Sequence, residues 1–152
     1  MVPRTDIERW IRGEPPQSPP AADLPQVRGI EVAPHRFLVS FAVEGIGVLA
    51  GELSLEDDSV ALIVDLPWEI PEGDITWRNL MQWNGRHLFV RLVKKGTFAS
   101  FVVDHPAGSP DGAYFDYWGV VLFLGLAQEL IPAVWREVFA GWARGPFPGR
   151  RC

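Results

Sequence analysis

Residues 36–66 decide the fold, and they read RFLVSFAVEGIGVLAGELSLEDDSVALIVDL. Apolar side chains alternate with others over residues 36–43, 48–55 and 59–66, which is the period of half-buried strands. The breaks between these runs, EGIG and EDD, are short and made of glycine or acidic residues. Three strands with such short connections predict an antiparallel meander.

Further elements follow the meander toward the C-terminus. A helix is predicted over residues 75–84, with Asp74 as its N-cap and Gly85 as its C-terminal stop. Strands are predicted over 86–93 and 97–104, and a long helix over about 111–130. Pro132 either kinks that helix or begins another one. The predicted fold class is α+β. It is a two-layer sandwich in the order α-βββ-α-ββ-α, with helices on one face of an antiparallel sheet of five strands, or of six as the alternative.

A short helix and a proline-rich stretch precede the sheet. Ile7, Trp10 and Ile11 share one face of a helix over residues 5–13, and Thr5 with Glu8 has the spacing of a capping box. The five prolines of residues 14–26 predict an extended linker. The predicted organisation is an N-terminal helix at 1–13, a linker at 14–26, one α+β domain at 27–143 and a flexible tail at 144–152.

Composition excludes several classes of protein. The chain has 152 residues, of which 47% are hydrophobic and 22% charged, so it is a compact domain rather than a disordered chain. The net charge of −5 argues against nucleic acid as a partner, although Arg86, Arg91, Lys94 and Lys95 cluster around one hairpin. Residues 118–127 are too few for a transmembrane helix, which needs about 20 apolar residues, so they predict a buried helix and no membrane contact.

The sequence predicts neither a catalytic nor a metal site. The three histidines show no metal-ligand spacing, and the single local group of ligand types is Asp104, His105, Asp111 and Asp116. No nucleophile motif or phosphate-binding glycine loop occurs. We therefore expect a non-enzymatic protein without a cofactor or metal. The alternative is a small-molecule-binding or enzymatic domain whose pocket lies between the C-terminal helix and the sheet, with Asp104 and His105 at its mouth.

Tryptophan is the unusual component of this chain. Seven Trp and nine Phe stand against two Tyr, and Trp is enriched at protein interfaces. Trp77 and Trp83 are six positions apart and cannot share one helix face, so we expect Trp83 or Trp68 to be partly exposed. The candidate partner-binding residues are Trp10, Trp68, Trp83, Tyr114, Tyr117, Trp118 and Trp142. We expect them to contact a protein partner or a second copy in a homodimer.

Cysteine use indicates the compartment. The single cysteine, Cys152, permits no intramolecular disulfide, and the first residues show no charged and then apolar pattern of a signal peptide. Both features are typical of a cytoplasmic protein.

Two stretches carry a likeness to a known family. One is GELSLEDDSVALIVDLP at residues 51–67, a strand pair that leads into a proline-containing exit; the other is LMQWNGRHLFVRL at residues 80–92, a helix that passes directly into a strand. In these stretches and in the order of elements over residues 27–142, the chain resembles the YbjN-like proteins of the type III secretion chaperone-like fold. The region 111–130 departs from that pattern because it is far more apolar and aromatic than an ordinary terminal helix of the group, and the proline-rich arm after residue 13 is additional. The resemblance implies a small, non-enzymatic regulator or chaperone, commonly dimeric, and it transfers no catalytic residue.

Overall fold

The computed structural model describes residues 2–56, 59–70, 74–106 and 114–140. Within these ranges the chain forms three α-helices, which are α1 (Arg4–Arg12), α2 (Asp74–Gly85) and α3 (Tyr117–Val134), the last continuing into a π-helical turn at Trp135–Phe139. The strands are β1 (Val2–Pro3), β2 (Gly29–Ala33), β3 (Arg36–Val43), β4 (Gly47–Ser54), β5 (Ser59–Asp65), β6 (Val90–Lys95), β7 (Phe98–Pro106) and β8 (Tyr114–Phe115).

The central sheet confirms the predicted α+β class. It has six antiparallel strands in the order β2-β3-β4-β5-β7-β6. The predicted meander is present, since Leu53 of β4 pairs with Phe37 on one side and with Leu62 on the other. The chain then passes through α2 to the outer strand β6 and returns in β7, which pairs with β5. Strand β2 is the sixth strand, and β1 with β8 forms a separate two-stranded sheet.

One face of the six-stranded sheet carries the core. Phe37, Leu62 and Phe101 point to this face and are fully buried, whereas their neighbours Leu38 and Ile63 on the other face are exposed by about two-fifths. The helices cover the first face. The π-helical turn also belongs to the core, because its residues Trp135 and Phe139 pack against the Trp68 ring with centroid distances of 4.8 and 5.3 Å. The fold is therefore a two-layer sandwich with one open sheet face.

The N-terminal helix packs into the same core. Ile7, Trp10 and Ile11 are buried, which confirms the face predicted from their spacing. The predicted capping box is wrong, because α1 follows Pro3 without any side-chain cap. Glu8 is instead buried and lies 2.9 Å from His35 Nδ1 in the turn between β2 and β3, so it joins α1 to the sheet.

The proline-rich residues 14–26, which we call the strap, form no helix or strand, as predicted. They are nevertheless fastened to the domain at two points. The buried Asp6 carboxylate accepts the backbone N–H groups of Gln17 and Ser18 at 3.1 and 3.0 Å. The Tyr117 hydroxyl donates to the Ser18 carbonyl at 2.6 Å. The strap is therefore held against α1 and α3.

Helix α3 differs in its limits from the prediction. Residues 114–115 are extended, so the predicted start near Asp111 is wrong, and Asp111 itself lies outside the described residues. The helix starts after Asp116, whose Oδ1 accepts the Trp118 N–H at 3.0 Å. It runs past Pro132 to Val134 and enters the π-helical turn, where the Ala140 N–H donates to the Trp135 carbonyl at 2.7 Å. Pro132 therefore does not separate two helices.

Asn84 at the end of α2 covers part of the outer sheet edge. Its Nδ2 donates to the Leu92 carbonyl at 2.8 Å, and its Oδ1 accepts the Leu92 N–H at 2.6 Å. Leu92 lies in β6, the outermost strand. A neighbouring strand would supply the same two hydrogen bonds, so this amide replaces a strand at an edge that would otherwise invite pairing with another chain.

Asn84→Ala is expected to lower the free energy of unfolding by about 1–3 kcal/mol, because two hydrogen bonds to a partly buried backbone are lost. Asn84→Asp keeps the acceptor but sets a carboxylate oxygen against the Leu92 carbonyl oxygen in place of the donor, so we expect a loss at least as large as that of the alanine variant. Urea denaturation followed by circular dichroism measures both values. An unchanged midpoint for Asn84→Ala would show that this amide does not stabilise the edge.

Candidate partner-binding surface

Helix α3 has one face on the sheet and another in solvent. Its buried residues are Tyr117, Val120, Phe123, Ala127, Ile131 and Val134, which recur every three or four positions. On the opposite face Trp118 and Leu122 are 57% and 58% exposed. The prediction of a buried helix is therefore wrong, because the sheet covers only one side of it.

The exposed face of α3 is apolar along two turns. No charged residue lies between Asp116 and Glu129. Trp118, Leu122 and Gly125 follow one another at spacings of four and three, which places them on one line along the helix. A Cβ built at Gly125 would meet no atom within 4 Å, so this position is a notch in the helix surface. We call the line of these three residues the α3 face.

A groove opens beside the notch. Its volume is about 280 Å³, and it lies between α3 and residues 25–28. Phe41 of β3 and the α3 residues Val121, Leu124 and Gly125 give it apolar walls, while Arg28 and Gln128 line it with polar groups. The Gln128 side chain is held in place because its Nε2 donates to the Ala42 carbonyl at 2.9 Å. We call this depression the α3 groove.

Three of the seven predicted partner-binding residues are tryptophans of the core. Trp10 is 4% exposed, and Trp68 and Trp83 are fully buried. The expectation that Trp83 or Trp68 is partly exposed is therefore wrong. Trp83 is enclosed because α2 lies against the sheet edge, where its ring stacks on His87 at 3.8 Å and approaches Phe101. A partner cannot reach these three side chains in the folded chain.

The other four predicted partner-binding residues differ in how far the structure exposes them. Tyr117 is buried, and its ring lies edge-on to the Trp10 ring with 5.2 Å between the centroids. The pKa of its hydroxyl is raised, mainly by burial and to a smaller extent by the negative charge of Asp6. Tyr114 pairs with Pro3 in the small sheet, and nothing more of it is described. Trp142 lies outside the described residues. Trp118 is the candidate that the structure places in solvent.

Leu122 and Gly125 were not predicted as site residues. The signal was present, since residues 117–127 contain no charged or amide side chain. A helix without a polar face that packs on one side of a single sheet must expose apolar side chains on the other. No sequence pattern indicates the notch at Gly125, because from sequence alone a glycine within a helix is recognised only as a residue of low helix propensity.

The open sheet face is a less suitable contact surface than α3. It exposes Ile30, Leu38, Val48, Ile63, Val93 and Phe98, but ionised groups lie among them. Arg36 pairs with Glu56 at 3.1 Å, and Arg91 forms two hydrogen bonds with Asp104 at 2.8 and 3.0 Å. Interface centres are depleted in charged residues, because burying them costs desolvation.

The basic residues around the β6–β7 hairpin are partnered. Arg86 lies 3.7 Å from Glu137, and Lys95 lies 3.3 Å from Asp65. The pKa of Asp65 is lowered, first by the hydrogen bond from the Ser100 hydroxyl and then by Lys95. Lys94 sits over the Trp77 ring at 4.8 Å. The predicted basic cluster therefore presents no set of unpaired cations to phosphate.

The pocket expected between the C-terminal helix and the sheet does not have Asp104 at its mouth. Asp104 follows the buried Val103 along β7, so it points to the open sheet face, where Arg91 binds it. The side chain of His105 is not described. Over the described ranges, no three His, Cys, Asp or Glu residues come together in a group that could hold a metal ion.

The helical segment Tyr117–Phe139 has 23 residues and is, by length and composition, long and apolar enough to cross a membrane. The sequence estimate from residues 118–127 was too short because the helix continues through Pro132. One third of the most apolar window of this segment is buried in the fold, and core helices of soluble proteins meet the same criterion.

The chain matches no family model, no curated protein and no solved structure. No match was found. The likeness to the YbjN-like proteins accordingly stays a prediction from the sequence.

Proposed function

We propose that this chain is a non-enzymatic protein–protein interaction module, chaperone-like or regulatory, that binds through the α3 face. The observation that carries the proposal is the exposure of Trp118 and Leu122 on a helix surface free of charge over twelve residues, 117–128. Trp in such an apolar setting is the residue type most enriched among those that dominate binding energy.

Burial of the exposed side chains of α3 would supply part of the free energy of association. Complete burial of a large apolar side chain contributes roughly 1.5–3 kcal/mol. Trp118 and Leu122 each leave more than half of their surface in solvent. Covering both would therefore contribute about 2–3 kcal/mol to association by the same scale. Several charged groups elsewhere on the described surface, such as Arg36 with Glu56 and Arg91 with Asp104, are already paired within the chain.

The test is affinity capture from native lysate with three immobilised forms of the chain. These are the wild type, Trp118→Glu and the control Met81→Glu, which alters a residue of α2 that is 72% exposed. We expect one protein to bind the wild type and the control and to be lost from Trp118→Glu. Retention of every bound protein by Trp118→Glu would show that the α3 face is not the binding surface.

A further inference from the structure

We infer that the protein bound at the α3 face is a second copy of this chain. The two α3 helices pair antiparallel, and Trp118 of each copy inserts at Gly125 into the α3 groove of the other. This inference rests on the proposed function and names its partner.

The spacing of Trp118 and Gly125 suits a two-fold axis. They lie seven positions apart, which is about two helical turns, so both face the same direction. When two copies pair antiparallel about an axis close to Leu122, each Trp118 lies opposite the other copy's Gly125. The same contact is then made twice, as a symmetric dimer requires.

The α3 groove fits a tryptophan side chain in shape and in chemistry. Its apolar walls, formed by Phe41, Val121 and Leu124, match the indole ring, and its volume is about 280 Å³. Gly125 leaves the entrance open, because no atom lies within 4 Å of its Cβ position. Arg28 contributes a charged residue to the lining of the groove, and its guanidinium lies beside Gly13 at the end of α1.

Charge favours this face over others for contact between two identical chains. Each copy carries a net charge of −5, so two copies repel each other. Residues 117–128 carry no charge, so a contact made through them brings few like charges together. Ordinary salt screens the remaining charges beyond about 8 Å.

The size of the contact predicts a reversible dimer. From residue 118 to residue 129 the helix is about 17 Å long, and a helix with its side chains is about 10 Å wide. Two such faces bury well under the roughly 1,600 Å² of a standard interface. We therefore expect dimers at high concentration that dissociate on dilution.

Sedimentation velocity across a dilution series from millimolar to nanomolar chain tests the pairing. We expect the wild type to shift from dimer to monomer. Trp118→Ala removes the ring and Gly125→Leu fills the notch, so each should weaken dimerisation at least about tenfold. Gly125→Leu also replaces a poor helix former with a good one, so its thermal midpoint should not fall. Gly85→Leu, a change of the same kind at the end of α2 where a Cβ likewise meets no atom within 4 Å, is the control and should dimerise normally.

Mixing the two variants gives a result that a loss of folding cannot imitate. Gly125→Leu retains Trp118, and Trp118→Ala retains the open notch. In the mixed pair, Trp118 of the Gly125→Leu chain still meets the open Gly125 of the Trp118→Ala chain. At the second contact, the alanine side chain at position 118 meets the leucine side chain at position 125. We expect the mixture to form heterodimers more tightly than either variant forms homodimers.

The outcomes separate this inference from the proposed function. A wild type that stays monomeric at every concentration, or a dimer unchanged by Gly125→Leu, overturns the self-pairing. If another protein is then captured through Trp118, the proposed function stands; if none is, both fall. Binding to phosphatidylglycerol vesicles that is lost in Trp118→Glu, with no dimer formed, overturns both and assigns the α3 face to a membrane surface.

Discussion

Trp68→Ala is expected to lower the free energy of unfolding by about 3–5 kcal/mol, the range for removal of a large aromatic side chain from a core. Trp68 is fully buried, and its ring packs on Trp135 and Phe139 under the π-helical turn. The substitution leaves a cavity that these two rings fill only in part. Because a domain is stable by about 5–15 kcal/mol, this loss is a large share of the total.

The matched control is the same substitution at Trp118, which is 57% exposed. Substitutions of that kind on a surface stay within about 0.5 kcal/mol. Guanidinium denaturation followed by far-ultraviolet circular dichroism compares both variants at a concentration where the wild type is monomeric. Equal losses for Trp68→Ala and Trp118→Ala would contradict the division of the tryptophans into core and surface.

Asp6→Ala is expected to have the second largest effect, a loss of about 2–3 kcal/mol, because the backbone N–H groups of Gln17 and Ser18 both lose a charged acceptor. Asp6 is 3% exposed, so water replaces these bonds poorly. The strap should then exchange its amide hydrogens faster. Hydrogen exchange at Gln17 and Ser18 and urea denaturation measure the two effects.

Asp23→Ala is the control for this prediction. Asp23 lies in the same strap, but its side chain is exposed and forms no hydrogen bond with the described residues. We expect its unfolding free energy and amide exchange to match the wild type. If Asp6→Ala behaves like Asp23→Ala in both measurements, the Asp6 carboxylate does not hold the strap.

Local patterns predicted the elements of this fold well. The alternation in residues 36–66 depends only on neighbours in the chain, and β3, β4 and β5 follow it nearly to the residue. The three-and-four spacing of Ile7, Trp10 and Ile11 likewise identified the buried face of α1. Such periods are set by the geometry of one strand or one helix, so a single sequence contains them.

The errors arose where distant residues meet. Thr5 and Glu8 have the spacing of a capping box, but Glu8 binds His35, which is 27 positions away. The positions of Trp77 and Trp83 on α2 show that they face different directions, but not that α2 lies against the sheet edge and encloses Trp83. For the candidate surface, aromatic content identified Trp118. The exposure of Leu122 and the groove at Gly125 depend on which side of α3 the sheet covers.

The fastening of the strap has a consequence for how the chain folds during synthesis. Tyr117 binds Ser18 across 99 positions of sequence, and β1 pairs with β8 at Val2 and Phe115. On the ribosome, α1 and the strap therefore lack these partners until residues 115 and 117 have been made, while the β3–β5 meander can already pair. We expect α1 and the strap to reach these contacts after the meander has paired, which leaves the apolar side of α1 open to chaperones in the interval.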